Sequence, residues 1–404
     1  MKFKELDFIP LIFANDINVY SVARAFYEKY SVRSYVYGKS EQGTCYLSKL
    51  VDYKAVKDCD QKEVIKKLAN EFAEAHKEKK ILLVGCGDNY VKRIAANKGE
   101  YRENIIVPYM DESILSELMD KEQFYKLCEK HGIPYPKTIE CTMDNYQSVA
   151  PSFKAPYILK PGNGVMYFAN PFEGQKKVFI LDSFDELCEI LEKVYKSGYT
   201  DNMIIQDYVP GDDTYMRVLT GFSDKNGKVK MMCLGHVLLE EHTPYGIGNH
   251  AVIITEHEEK LVNQFREFLE KIEYKGFFNF DIKFDERSGI YKVFEINVRQ
   301  GRSNYYVTGA GFNVAEYFVK EFVYGEELSY TECKNENLWM VVPKGVAFRY
   351  VKNEEYRKKM KALIKEGKYV NPLWFKPDNG IRRNLKLLKS QMGHYLKFKK
   401  YLGN

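Results

Sequence analysis

FFNFDIKF (residues 277–284) and YKVFEINVR (residues 291–299) alternate apolar and polar side chains, from Phe278 in the first and from Phe294 in the second, which is the period of a β-strand with one face in a core and one face outside it. In the first stretch Phe278, Phe280, Ile282 and Phe284 share a face and Asn279, Asp281 and Lys283 the other; in the second, Phe294, Ile296 and Val298 oppose Glu295, Asn297 and Arg299. A reversal at residues 285–289 makes the pair a hairpin. Whether Asp281 pairs with Val293 or with Glu295, it stays on the face of Glu295 and Asn297, because a register change of two leaves the face unchanged. Two carboxylates and an amide carbonyl on rigid strands suit Mg²⁺, or Mn²⁺ in its place, which takes hard oxygen ligands and completes its shell with phosphates. Arg299 adds a bidentate phosphate fork. A solvated sheet face with alternating charges has the same pattern, so the segments upstream carry the decision.

One of these segments is Tyr157-Ile158-Leu159-Lys160-Pro161, an apolar strand ending in a lysine and followed by a glycine-bearing stretch over residues 162–174. A lysine so placed neutralises polyphosphate while loop amides close over it; a surface lysine is the plainer alternative. Another is Ile204-Ile205-Gln206-Asp207-Tyr208-Val209-Pro210-Gly211, a strand turning at Pro-Gly that can offer backbone groups to an adenine edge and acids to a ribose. Asp120 caps a helix carrying Phe124, Leu127 and Cys128 that stops at Gly132, and Ser183-Phe184-Asp185-Glu186 is a capping box. From Met203 onward, strands joined by turns are expected, with reversals at residues 224–227 and 285–289.

Towards the start, Phe8–Phe13 reads as a strand and Val19, Val22, Ala23, Phe26, Tyr27 and Tyr30 recur at helical spacing. The run from Ile81 to Val84 ends in Gly85-Cys86-Gly87, but Asp88, Asn89 and Tyr90 follow, so the third glycine of a dinucleotide fingerprint is missing and the turn reads as a tight connection. The chain thus divides into an α/β domain over 1–115, a central region over 116–325 (lobes 116–200 and 201–325), and an extension over 326–404.

With 404 residues, 45% hydrophobic and 15% aromatic, the chain can bury a sizeable core in two or three lobes. No run approaches the roughly 18–20 apolar residues of a membrane span, and the start lacks a signal-peptide pattern; a cytoplasmic protein is expected. The eight cysteines form no CxxC pair and read as free thiols. His242, His250 and His257 match no zinc spacing and read as ordinary sheet or loop positions, with a general-base role as the other option; Glu240 and Glu241 are equally open.

Residues 351–404 carry 15 Lys/Arg against 4 Asp/Glu, which leaves the rest of a +5 chain at −6. That acidic remainder, without a recognition motif, argues against nucleic acid. Arg382, Arg383, Lys386, Lys389, Lys397, Lys399 and Lys400 alternate with Leu385, Leu387, Leu388, Tyr395, Leu396 and Phe398. Such a segment draws a protein to anionic lipid or to a phosphorylated precursor, or forms a solvated helix packed on the rest.

In order and approximate spacing, Lys121, the Tyr-Ile-Leu-Lys160-Pro strand, Gln206 to Gly211, Asp281 and Glu295-Ile-Asn297-Val-Arg299 resemble the ATP-grasp superfamily over residues 116–311. The resemblance implies an α/β (α+β) fold with an N-terminal α/β domain, a central lobe, a C-terminal antiparallel-sheet lobe and a basic C-terminal extension. It implies that Lys121 and Lys160 contact ATP phosphates, that Gln206, Asp207, Tyr208 and Val209 line adenine, and that Asp212 or Asp213 holds the ribose. Asp281, Glu295 and Asn297 would bind Mg²⁺, with Arg217 and Arg299 on the transferred phosphate. Asp207 stands where glutamate is common, and the glycine loop is longer than usual.

Phe8-Ile9-Pro10 and Asn18-Val19-Tyr20-x-x-Ala23-Arg24 further resemble D-aspartate ligases of cell-wall synthesis. That family implies attachment of D-aspartate, through its β-carboxylate, to the lysine side-chain amine of a peptidoglycan precursor, with Arg302, Ser303 and Asn304 near the substrate. Another amino-acid or peptide pair, or a nucleotide-binding module without catalysis, are the alternatives; the oligomeric state is not written in the sequence.

Overall fold

The computed structural model describes residues 1–403 apart from 163 and 245; Asn163 of the glycine-bearing stretch therefore lies outside the described residues. The first unit is a parallel sheet of β1 (Phe8–Phe13), β2 (Ser34–Gly38), β3 (Val51–Ala55), β4 (Lys80–Gly85) and β5 (Ile105–Ile106), in the order β3-β2-β1-β4-β5. The order reverses between β1 and β4, and in open parallel sheets the crevice beyond the strand ends opens at such a reversal. The segments leaving these two strands carry Asp16 and Asp88. Asp16 caps the helix Ile17–Tyr30 by accepting from Asn18 N at 3.1 Å, while Gly85-Cys86-Gly87 leads directly into the helix Asp88–Ala95.

The second sheet is small and antiparallel: β6 (Thr138–Cys141), β7 (Tyr157–Pro161), β8 (Phe179–Leu181) and β9 (Met203–Asp207), ordered β6-β9-β7-β8. It has its own core, in which Leu159, Phe179 and Ile205 pack on Leu187, Leu191 and Val194 of the helix Phe184–Lys196. Ser183 caps that helix by accepting from Glu186 N, and Glu186 reaches back to Asp182 N.

The large sheet contains β10 (Met216–Ser223), β11 (Val229–Glu241), β12 (Asn249–Glu256), β13 (Gly276–Asp285), β14 (Ile290–Asn297), β15 (Thr331–Glu332), β16 (Leu338–Met340) and β17 (Tyr369–Val370). Its order is β14-β13-β10-β11-β12-β16-β17, with β15 on β11. Both expected reversals are tight turns whose glycines, Gly227 and Gly289, take φ of +72° and +70°, the left-handed conformation glycine adopts at no steric cost. Phe278, Phe280 and Ile282 are buried, and Phe280 meets Phe265 of the helix Glu259–Lys271 with ring centroids 4.6 Å apart.

The region 326–404 does not stand apart as an extension. Strands β16 and β17 lengthen the large sheet, and Arg383 of the helix Ile381–Leu402 forms a buried pair with Asp378 at 2.8 Å. Asp378 also accepts from Tyr20 at 2.8 Å and from Lys49 N at 2.7 Å, which ties the C-terminal segment to the first unit. All eight cysteines are free; seven are buried, and Cys188 is exposed on the helix Phe184–Lys196. Among the described residues no helix is long and apolar enough to cross a membrane.

Candidate active site

The hairpin β13–β14 sets the frame. Asn279 pairs with Asn297 and Asp281 with Glu295, after which a bulge brings Ile282 opposite Val293. Asp281 and Glu295 therefore share a face, as the alternation requires. Asp281 Oδ2 receives Asn297 Nδ2 at 3.4 Å, while its buried Oδ1 has no hydrogen-bond partner. Glu295 accepts from Lys121 Nζ at 2.9 Å. The two acids are driven apart in charge: burial, then Glu295 and Glu240, push Asp281 well above the carboxylate range, whereas Lys121 outweighs burial and holds Glu295 at about 2.

Lys121 opens the helix Lys121–Lys130, and one turn later Tyr125 donates to Phe294 O at 2.8 Å. Tyr125 also accepts from Gln206 Nε2 at 2.9 Å, and Gln206 in turn accepts from Lys160 Nζ at 3.1 Å. Lys160 is the penultimate residue of β7 and Gln206 sits on the adjacent β9, so this relay joins the small sheet to the large one. Burial, with Lys121 close by, holds the Lys160 amine well below its usual range. Two lysines thus crowd one carboxylate, an arrangement that an anion would relieve.

Along residues 206–213, expected to line adenine and hold the ribose, the polar side chains have partners within the protein. The Gln206 side chain is buried and committed to Lys160, Tyr125 and Thr138. Asp207 takes a bidentate pair from Arg287 at 3.1 and 2.8 Å, Tyr208 lies 5.7 Å from Lys283 Nζ, and Val209 is buried. Asp212 accepts from Thr214 N at 2.9 Å. Asp213 accepts from Glu240 N at 2.8 Å and faces His242 Nε2 at 2.9 Å. The carboxylates of Asp207, Asp212 and Asp213 are therefore all engaged within the protein.

Arg217 is not brought to the carboxylates. It pairs across the sheet with Ile282, whereas Asp281 pairs with Val218, and neighbours on a strand point to opposite faces. Its guanidinium instead contacts Glu256 and donates to Thr214 O at 3.0 Å. Arg299 does reach the site, donating through Nη2 to Asp88 Oδ2 at 2.8 Å and to Asn297 Oδ1 at 3.0 Å, with its buried Nε unpartnered by hydrogen bonds.

Arg302 lies 3.9 Å from Glu241 and keeps a buried Nη1 without a hydrogen bond. Ser303 Oγ is 3.5 Å from His250 Nδ1. Asn304, fully buried, donates to Asn18 Oδ1 and Gly301 O, both at 2.9 Å, and so pins the loop to the first unit, while its buried Oδ1 has no hydrogen-bond partner.

The three histidines separate: His242 meets Asp213, His257 meets Glu332, and only His250 enters the site. His250 Nε2 lies 3.6 Å from Glu240 Oε1 and 3.8 Å from Asp281 Oδ1. Burial, with Arg302 nearby, lowers its pKa to about 4, and burial with Asp213 raises that of Glu240 to about 7. Asp88 and Tyr125 join the site without having been singled out in the sequence, and Glu240, left open there, joins it beside His250; the acid directly after the glycine turn was the one available signal for Asp88. A cleft lined by Asp88, Lys121, Phe124, Glu295 and Asn297 opens beside the carboxylates.

Comparison with known proteins fits this geometry. Residues 118–303 match the model of the ATP-grasp domain. The D-aspartate ligase of Enterococcus faecium (strain Aus0004) is 40% identical over 409 residues, covering 98% of this chain and 97% of the relative. Among solved structures, N5-carboxyaminoimidazole synthetase from Staphylococcus aureus complexed with ADP superposes with a TM-score of 0.62 at 16% identity, covering 88% of each chain. L-amino acid ligase from Bacillus licheniformis gives a TM-score of 0.51 at 14% identity over 79% of this chain and 71% of that one; both share the fold. The chain belongs to the ATP-grasp carboxylate–amine ligases, ATP-dependent and ADP-forming enzymes of carbon–nitrogen bond formation, and within them to the family of the D-aspartate ligase.

Proposed function

We propose that this enzyme joins the β-carboxylate of D-aspartate to the lysine side-chain amine of a peptidoglycan precursor. The observation that carries the reading is identity of 40% along 98% of the chain to a D-aspartate ligase, far beyond the ATP-grasp segment alone. In the reaction a carboxylate oxygen attacks the γ-phosphorus of ATP and ADP departs. The amine then attacks the acyl carbon, phosphate leaves, and the amine loses a proton.

The chain's own groups serve this by position and charge. Lys121 and Lys160 receive phosphate oxygens, which explains why Lys160 is poorly accommodated as a cation without them. Asp281, Glu295 and Asn297 would hold Mg²⁺, or Mn²⁺ in its place. Among the described residues no three His, Cys, Asp or Glu side chains make a self-sufficient metal cage, and an unpartnered Asp281 oxygen beside a second carboxylate suits an ion that brings phosphate ligands with it. That ion, when bound, screens the charge of the transferred phosphoryl group. Arg299, braced by Asp88, faces the same charge, and the spare Nη1 of Arg302 with Ser303 receives the amino-acid carboxylate.

The test is phosphate release by purified protein with D-aspartate, L-aspartate and other carboxylates, each with and without a lysine-containing muropeptide precursor. D-aspartate is expected to be required, and Asp281→Ala or Glu295→Ala to lower turnover at least about 100-fold. Turnover with a different carboxylate, and none with D-aspartate, sinks the substrate assignment.

A further inference from the structure

The helix Ile381–Leu402 carries one buried stripe and one exposed apolar stripe. Leu387 and Phe398, with Arg383, Gln391 and His394, recur at steps of three and four and are buried against the rest of the chain. Ile381, Leu385, Leu388, Met392 and Leu396 recur at similar steps but point away from it, at 80, 62, 50, 69 and 74% exposure. At roughly 100° per residue, the second stripe lies about 140° round the helix from the first, where a surface helix ordinarily carries polar residues.

Charge is distributed along one border of that stripe. Arg382, Lys389, Lys397 and Lys400 are exposed there, Lys386 on the same border donates to Gly43 O at 3.0 Å, exposed Lys399 falls within the stripe, and the helix holds seven Lys/Arg and no Asp or Glu. Leaving a row of large aliphatic side chains in water forgoes the favourable burial of each one. A row of this size marks a surface that something covers.

We propose that this face docks on an anionic lipid bilayer, with the apolar stripe sunk among the headgroups and the basic border on their phosphates. Charge complementarity selects that occupant. A second copy of the helix would set one wholly basic border against another, with no acid on either to form the flanking pairs that helix dimers use, whereas each exposed Lys or Arg near an anionic leaflet adds attraction. The combination of an apolar face and a cationic border is that of interfacial helices. The surface involves none of the residues assigned to the ligase site.

The experiment is co-sedimentation of the full-length protein with vesicles of phosphatidylglycerol or of phosphatidylcholine. The native protein is expected to bind the anionic vesicles at least 10-fold more than the zwitterionic ones. The stripe variant Leu385→Gln/Leu388→Gln/Met392→Gln/Leu396→Gln and the border variant Lys389→Gln/Lys397→Gln/Lys400→Gln are each expected to lose at least 10-fold of that binding while keeping native turnover in solution, which reports that they fold. A native protein that ignores anionic vesicles, or a stripe variant that binds them as well as the native chain, overturns the proposal. So does a native dimer, seen by light scattering, that the stripe variant converts to monomer without any vesicle binding.

Discussion

Arg299 is the residue at which distant parts of the chain meet. Its Nη2 spans Asp88 from the first unit and Asn297 from the hairpin while Nη1 donates to Gln300 O at 3.0 Å, so two nitrogens held in one plane serve three acceptors, which the single ammonium nitrogen of a lysine cannot reproduce. Arg299→Lys is expected to lower kcat/KM by about 100-fold and Asp88→Asn by about 10-fold. Because the two act through one contact, the double variant should be no worse than Arg299→Lys alone; phosphate-release kinetics in a double-mutant cycle check this, and additive losses would mean they act separately. Asp281, Glu295 and Asn297 were legible because alternation alone assigns them to one face. Arg217 was not, because its face depends on which residue of β10 lies opposite Asp281, and no local pattern states a register between strands that are not joined by a turn. Asp88, Glu240 and His250 reach the site through sheet topology, over separations that leave no trace in spacing.

Among the elements, the hairpin turns and the capped helices could be read from the chain, while β16 and β17, of three and two residues, are too short to display a period. Their absence from the reading made residues 326–404 look like a charged tail. The helix Ile381–Leu402 carries a pH dependence of its own. Burial, reinforced by Lys397 and Arg302, lowers the His394 pKa to about 4, against about 6.5 for a free imidazole. Between about pH 6.5 and 4 the unfolded chain therefore takes up a proton that the folded chain refuses, so this histidine's contribution is complete above about 6.5 and is lost as pH falls through that window, amounting to about 3 kcal/mol. His250, depressed in the same direction, adds a contribution of the same sign. His394→Gln is expected to remove about half of the fall in denaturant midpoint between pH 7 and pH 4.5, as urea titrations at the two pH values would register.

Across the whole molecule, the first and last segments are clasped together. Arg383 and Asp378 are buried at 2% and 0% exposure, Tyr20 and Ser48 add hydrogen bonds to the same carboxylate, and Arg24 donates to Asn371 O and Pro372 O at 2.9 Å. Removing one partner of a buried pair strands the other charge, so Asp378→Ala should cost about 3–5 kcal/mol, whereas Asp378→Leu with Arg383→Met should recover much of that. Thermal unfolding of the single and double variants measures the difference. The general architecture was legible at this scale from the sequence of sheet types; the clasp was not, because a lone Arg and a lone Asp in a basic segment look like surface charge. The cysteine distribution has a practical corollary. With seven thiols shielded and Cys188 open on the small lobe's helix, the unmodified protein carries a built-in attachment point for one spectroscopic probe, and that probe sits beside the small sheet, where it would read any displacement of that sheet against the large one without engineering of the chain.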